Sequence, residues 1–273
     1  DIPSEYIQIS KYAILEATTD RYFYEFLNQT VLKAVDEYKV EKPLREILQD
    51  CGFDYLVDDL ENYGLEQCAF PIKVENCRKL VREFMFSNAD KIRERCKSHV
   101  DAAKKYFQQI IGNSKRILIV DIGISEIQIS ALKYFIETKF PDKDLRLHGA
   151  LIASNRHRKL INALELDAIE SYAYSPFHNL DLAQNIMPMS EMSARDLDIL
   201  QMPLKSLFTS TEASLISYEL DKNGKVKFLQ MSNIPKNADQ IESMQNGILK
   251  FLEDYRIIIS QDLKISPYLS FNP

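Results

Sequence analysis

Residues 116–137 read RILIVDIGISEIQISALKYFIE, and this stretch predicts a strand, a tight turn and a helix. Residues 117–120 are consecutive β-favouring apolar residues, a pattern typical of a strand buried on both faces in a parallel sheet. Asp121 follows at the carboxyl end of that strand, and Gly123 permits the turn. Because open α/β sheets bind ligands outside the carboxyl ends of their strands, we expect a ligand crevice beside Asp121.

The turn after this strand has two interpretations. In the first it binds an anion or a sugar phosphate, with Asp121 holding a hydroxyl group or a Mg²⁺ ion and helix N–H groups facing the ligand. In the second it is structural, because Ser125 and Gln128 have the spacing of a capping box. Glu126 would then satisfy the helix dipole, and its carboxylate would repel a phosphate.

More specific motifs for nucleotide binding and for phosphatase activity are excluded around Asp121. Gly123 stands without the further glycines of a dinucleotide fingerprint, and the chain has no GK[ST] phosphate loop. A phosphatase of the haloacid-dehalogenase type needs a second aspartate two positions after the first, where this chain has Gly123. No complete catalytic constellation is found, so whether the chain is an enzyme stays open and Asp121 is its candidate catalytic residue. No cofactor is expected beyond Mg²⁺, and that only if Asp121 is a ligand.

A second strand is predicted over residues 145–153, after a helix of about 15 residues that is long enough for a crossover between parallel strands. Asn155, Arg156 and Arg158 follow that strand, and parallel strands would bring them to the edge that carries Asp121. Arginine binds phosphate or carboxylate with two hydrogen bonds, so this cluster is a candidate anion contact. The alternative is a solvated loop. His148, inside the strand, is either a core residue or a ligand.

The remaining pattern predicts an α/β fold in which a helical N-terminal half precedes a small Rossmann-like parallel sheet. Asn223-Gly224 predicts a β-hairpin between strands over 213–220 and 225–231, and a packing helix follows from Asn237. We expect a helical region over 1–112, an α/β domain over 113–259 and a tail over 260–273. The N-terminal helices are predicted over 6–17, 22–38, 43–48, 53–63, 76–87 and 89–111.

Composition narrows the class of partner. The net charge is −6 and the basic residues do not gather on one face, which argues against nucleic acid. The four cysteines lack zinc-site spacing and predict reduced thiols in a cytoplasmic protein. No apolar run reaches the roughly 18 residues of a membrane span. The chain starts at Asp1 rather than Met, and we expect it to be a piece of a longer protein.

The order of these signals resembles a bacterial family. It is similar to the region downstream of the phosphatase-like domain in predicted haloacid-dehalogenase-superfamily hydrolases of surface-polysaccharide gene clusters, which are often associated with glycosyltransferases. The family's Trp-x-Gly-Thr after the Asp-x-Gly turn is replaced here by residues 124–127, ISEI. The matching stretches are YIQISK at 6–11, EKPLREIL at 41–48, VDIG at 120–123 with Gln128, LFTSTEASLISY at 207–218 and MQNGILKF at 244–251.

The resemblance implies an accessory domain in polysaccharide biosynthesis. Such a domain would recognise a sugar phosphate or a nucleotide sugar, or would position a partner glycosyltransferase. The catalytic aspartates of the upstream phosphatase-like domain would lie before Asp1. Two alternatives stay open: a hydrolase or transferase acting on a phosphorylated sugar at the Asp121 crevice, and a scaffold for protein interaction. The predicted ligand-binding residues are Asp121, Gly123, Ser125, Gln128, Asn155, Arg156 and Arg158.

Overall fold

The computed structural model describes residues 7–37, 42–63, 65, 74–121, 127–153, 169–174, 213–230 and 238–260. By its contacts the chain divides into two units, Asp1–Ala173 with Leu215–Gln230, and Tyr174–Ser214 with Met231–Pro273. The helices are α1 Lys11–Glu16, α2 Phe23–Gln29, α3 Val31–Glu37, α4 Leu44–Asp50, a 3₁₀ helix Asp54–Tyr63, α5 Val74–Ser87, α6 Ala89–Ile111, α7 Ile127–Lys139 and α8 Ala238–Ser260. The strands are β1 Arg116–Asp121, β2 Arg146–Ala153, β3 Ile169–Tyr174, β4 Leu215–Leu220 and β5 Val226–Gln230.

The described residues form a mixed α/β fold with a helical N-terminal half. The first helix begins at Lys11 rather than at the predicted Tyr6, because the Ser10 side chain caps it by accepting the Ala13 N–H at 3.0 Å. The helix predicted over 22–38 is two helices. Thr30 separates them in a non-helical conformation, and its hydroxyl donates to the Phe26 carbonyl oxygen at 2.9 Å.

The sheet of the first unit contains the predicted βαβ arrangement. β1 and β2 pair in parallel, with Ile117 beside Leu147 and Asp121 beside Leu151, and α7 connects them. β3 lies next to β2, which gives the order β1-β2-β3. The register therefore places the carboxyl ends of β1 and β2 at the same end of the sheet, which we call the carboxyl edge.

The expectation that β1 is buried on both faces is wrong. Its residues alternate in exposure, and Leu118 and Val120 are 61% and 69% exposed. Ile117 and Ile119 pack against the hydrophobic core, together with Leu147 and Leu151 of β2. The sequence predicts a packing face on α7 made of Ile127, Ala131, Tyr134, Phe135 and Thr138. The buried residues are Ile129, Ala131, Leu132, Phe135 and Ile136, so Ala131 and Phe135 are confirmed and Tyr134 and Thr138 are not. One face of the parallel pair therefore meets the core and the other is open.

The predicted hairpin is present as β4 and β5, which pair antiparallel. Gly224 occupies the turn at φ +73°, a conformation that favours glycine, and the Asp221 side chain accepts the backbone N–H groups of Asn223 and Lys225 at 2.8 Å each. The hairpin packs on α6 through aromatic side chains. Tyr218 stacks on Tyr106 with ring centroids 5.3 Å apart. The hairpin therefore belongs to the core of the first unit.

The second unit is described chiefly by α8. The sequence predicts a packing face made of Ile241, Met244, Ile248, Phe251, Leu252 and Tyr255. Ile241 is 3% exposed, but Met244, Phe251 and Leu252 are 41%, 64% and 52% exposed. The helical period was correct. The prediction that this face is buried is wrong for these three residues, whereas Ile248 and Tyr255 are half-buried. Periodicity establishes that a helix is amphipathic, but it does not establish what covers the apolar face.

Candidate functional site

The edge formed by the carboxyl ends of β1 and β2 is the candidate ligand site. Asp121 is the last residue of β1 and is half-buried, and its register partner Leu151 is fully buried. β2 ends two residues later at Ala153. The chain therefore leaves both parallel strands at the same edge, which is where the sequence predicted a crevice.

Two of the predicted ligand-binding residues lie within the described part of the chain. These are Asp121 and Gln128, the second residue of α7, and both are half-buried. Gly123 and Ser125 fall in the connection between β1 and α7, which lies outside the described residues. The proposed capping box between Ser125 and Gln128 therefore stays a prediction. The same holds for Asn155, Arg156 and Arg158, which follow β2 in the sequence. The composition of the site around Asp121 therefore stays a prediction.

His148 lies on the open face of the sheet. It pairs in register with Leu118, and both residues alternate with Leu147 and Ile117, which face the core. His148 is therefore half-buried on the face that carries Leu118, and a ligand role for it stays a prediction.

A shallow cleft lies at the opposite edge, where the strands begin. Its lining residues are Gly112, Asn113, Ser114, Lys115, Lys143 and Asp144. The Lys143 ammonium group donates a hydrogen bond to the Gly112 carbonyl oxygen at 2.5 Å. This bond attaches Lys143 to the residue that ends α6. The cleft is open to solvent rather than enclosed.

Sequence reasoning missed a buried polar cluster that joins three elements. Glu16 of α1 receives a hydrogen bond from the Ser217 hydroxyl of β4 at 2.5 Å, and its other oxygen lies 2.9 Å from His99 Nδ1 of α6. Ser217 is 1% exposed, and the side chains of Glu16 and His99 are 11% and 25% exposed. The hydrogen bond to Glu16 raises the pKa of His99, while burial acts in the opposite direction.

This cluster has the residue types of a hydrolase triad in the wrong order. In a triad the histidine lies between the nucleophile and the carboxylate, so that it can take the proton of the nucleophile. Here the Glu16 carboxylate lies between Ser217 and His99, and the Ser217 hydroxyl donates a hydrogen bond to Glu16 instead of to His99. Ser217 is also inaccessible to a substrate. The Glu16 cluster therefore ties α1, α6 and β4 together and does not form a nucleophile.

Two cysteine thiols of the first unit, Cys51 and Cys96, are also structural. Burial raises the pKa of Cys51 to about 11 and that of Cys96 to about 12, and Glu16 adds to the rise at Cys96. Because the thiolate is the reactive form of cysteine, neither thiol acts as a nucleophile near neutral pH.

The described residues contain no group of three or more histidine, cysteine, aspartate or glutamate side chains placed to hold a metal ion. Across the same part of the chain, no helix combines the length and apolar character needed to cross a membrane.

In comparisons with known proteins, no protein-family model, no curated protein and no solved structure matches this chain significantly.

Proposed function

We propose that this chain is a binding domain that recognises a sugar phosphate or a nucleotide sugar at the carboxyl edge of β1 and β2. The observation that carries the proposal is the parallel pairing of these strands, with Asp121 ending β1 and Ala153 ending β2 at one edge. Arg156 and Arg158 follow Ala153 in sequence by three and five positions. A carboxylate for sugar hydroxyls and arginines for phosphate are the chemical groups that such a ligand requires.

The biological setting of the proposal rests on the family resemblance. We propose that the domain acts in bacterial surface-polysaccharide biosynthesis, in the cytoplasm, beside a glycosyltransferase or an upstream phosphatase-like domain. The free thiols of Cys51 and Cys96 agree with a reducing compartment. The intact mass of the protein in its source cell tests whether a phosphatase-like domain precedes this chain. A much longer polypeptide with an Asp-x-Asp strand before Asp1 supports the proposal, and a native start at Asp1 contradicts it.

We also propose that β3 completes a Rossmann-like sheet by running parallel to β2. The order β1-β2-β3, in which strands that follow one another in sequence are neighbours, supports this arrangement. An experimental structure in which β3 runs antiparallel to β2 would contradict it.

An enzymatic role is the second candidate, and Asp121 is the residue that favours it. A carboxylate at the end of a parallel strand is well placed to act as a base or to bind Mg²⁺ beside a phosphorylated sugar. Turnover of a phosphosugar by this chain, lost in Asp121→Asn, would establish a hydrolase or transferase. A protein-interaction scaffold is the third candidate, favoured by the exposed apolar residues of α8.

Thermal unfolding tests the binding proposal directly. A ligand that binds the folded state at a hundred times its Kd stabilises by about 2.7 kcal/mol. For a domain of this size that free energy corresponds to a rise in Tm of about 5–10 °C. We expect such a rise with at least one member of a panel of sugar phosphates and nucleotide sugars.

The controls separate the two edges of the sheet. Asp121→Ala and Arg156→Ala should abolish the rise in Tm. Arg146→Ala removes an exposed arginine at the amino end of β2 and should leave the rise unchanged. If the ligand no longer raises the Tm of Arg146→Ala but still raises the Tm of Asp121→Ala, the ligand binds at the amino ends of the strands instead. If no compound raises Tm, the binding proposal fails.

A further inference from the structure

The tip of the β4–β5 hairpin carries a reactive pair of residues that the proposed function does not use. Asn223-Gly224 is one of two Asn-Gly pairs in the chain, and the other is Asn246-Gly247 inside α8. Both asparagines are exposed to solvent. An asparagine that precedes glycine is the most prone to spontaneous deamidation, because glycine has no side chain to hinder the approach of its backbone nitrogen.

Deamidation at this pair is a reaction of the backbone with a side chain. The Gly224 nitrogen loses its proton and attacks the side-chain carbonyl carbon of Asn223. The bond from that carbon to Nδ2 breaks, and the Nδ2 amino group leaves with the proton as ammonia, so that a succinimide ring remains. Water then adds to either carbonyl group of the ring and opens it to aspartate or isoaspartate. Water is the only co-reactant.

The folded turn holds the Gly224 nitrogen away from this reaction. Its N–H group donates a hydrogen bond to the backbone carbonyl oxygen of Asp221 at 2.9 Å. The Asp221 carboxylate accepts the backbone N–H groups of Asn223 and Lys225 at 2.8 Å each. Its negative charge disfavours the loss of a proton from the neighbouring Gly224 nitrogen, because like charges at short distance repel. The Lys105 ammonium group fixes the other side of the turn by donating to the Gly224 carbonyl oxygen at 2.6 Å.

We propose that Asn223 is a deamidation site that the folded hairpin suppresses, and that Asp221 is the residue that suppresses it. Opening of the turn frees the Gly224 nitrogen from the Asp221 carbonyl oxygen and lets it reach the Asn223 side chain. A hydrogen bond to a charged group changes an equilibrium constant about tenfold or more. Because the Asp221 carboxylate accepts two such bonds, the closed turn predominates and the reaction proceeds through the small open fraction.

The products of the reaction alter the same turn. Isoaspartate at position 223 adds a methylene group to the backbone and changes the spacing of the N–H groups that Asp221 accepts. Either product also introduces a second carboxylate beside that of Asp221, and the two charges repel. Deamidation therefore weakens the closed turn at the hairpin tip, which Lys105 of α6 contacts.

Peptide mapping by mass spectrometry, after incubation of the full chain at mildly alkaline pH, tests this proposal. We expect Asn223 to deamidate at least about tenfold more slowly in the folded protein than in guanidinium chloride, where the turn is lost. Asp221→Ala should accelerate the reaction at Asn223 in the folded protein by about tenfold. Lys222→Ala, at the next exposed position of the same turn, is the matched control and should leave the rate unchanged.

Asn246 is an internal control within the same molecule. Its rate reports the opening of α8, so that global unfolding accelerates both asparagines and opening of the turn accelerates Asn223 alone. Acceleration at Asn223 alone in Asp221→Ala supports the proposal. Equal acceleration at both asparagines, or none at Asn223, overturns the role of Asp221. If Asn223 reacts as fast in the folded wild-type chain as in guanidinium chloride, the turn gives no protection and the proposal fails. None of these outcomes depends on whether a sugar phosphate binds near Asp121.

Discussion

Replacing Glu16 by glutamine should weaken the first unit in a pH-dependent way. The substitution keeps the size of the side chain and removes the charge that Ser217 and His99 contact. Hydrogen bonds to a charged group contribute about 1.5–3 kcal/mol, and neutral ones contribute about 0.5–1.5 kcal/mol. Converting two such bonds to neutral bonds therefore predicts a loss of about 2–3 kcal/mol in the free energy of unfolding.

The sign of the pH dependence follows from His99. Its pKa in the folded protein is raised by the hydrogen bond to Glu16 and further by the charge of Glu219, while burial and the nearby Arg95 lower it. A group whose pKa rises on folding stabilises the protein fully below its unfolded pKa, which is about 6.5. That stabilisation is lost as the pH rises through the folded pKa. Glu16→Gln should therefore cost more at pH 5.5 than at pH 8.5.

Urea unfolding followed by circular dichroism at the two pH values measures this effect. Glu94→Gln is the matched control, because Glu94 pairs with Lys97 on the surface of α6 and is 69% exposed. Its loss should cost less than about 1 kcal/mol at either pH. An equal cost for Glu16→Gln at both pH values would refute the charged His99–Glu16 contact. A cost no larger than that of Glu94→Gln would refute the account of the whole cluster.

Three further predictions test the packing around this cluster and the sheet. Leu147→Ala should cost about 2–5 kcal/mol because Leu147 packs in the core, whereas Leu118→Ala on the open face should change stability by less than about 0.5 kcal/mol; urea unfolding of both variants compares the two faces of the sheet. Gly112→Ala should destabilise by about 1 kcal/mol or more, since Gly112 ends α6 at φ +50°, and the melting temperature measures it. Cys51 and Cys96 should resist a thiol reagent at pH 8 in the folded protein and react after unfolding, because burial raises the pKa of both; rapid labelling of either native thiol would contradict this.

The sequence predicted the local units of this fold. The strand–turn–helix pattern over 116–137 predicted β1 and α7, and the Asn223-Gly224 pair predicted the hairpin. Both signals are local, because a turn residue and the period of apolar positions determine the backbone over a few residues. The predicted helix over 22–38 was wrong at Thr30, because the apolar period continues across the break and does not reveal a hydroxyl that bonds to the preceding turn.

The polar cluster at Glu16 could not be predicted from the sequence. His99 and Ser217 lie 83 and 201 residues away from Glu16, and no spacing rule connects them. The prediction that β1 is buried on both faces failed for a different reason. A continuous apolar run is typical of a strand covered on both faces, and the exposure of Leu118 and Val120 depends on which elements pack against the sheet. Tertiary packing, rather than local pattern, determines both features.

Hydrogen–deuterium exchange with and without a bound sugar phosphate tests the central claim most directly. The compound that raises Tm the most is added to the full chain, and protection is mapped along it. The account predicts protection at the carboxyl edge, in the peptides that contain Asp121 to Gln128 and Ala153 to Arg158. Protection confined to the cleft at Gly112–Lys115 and Lys143, or no protection anywhere, would contradict the account.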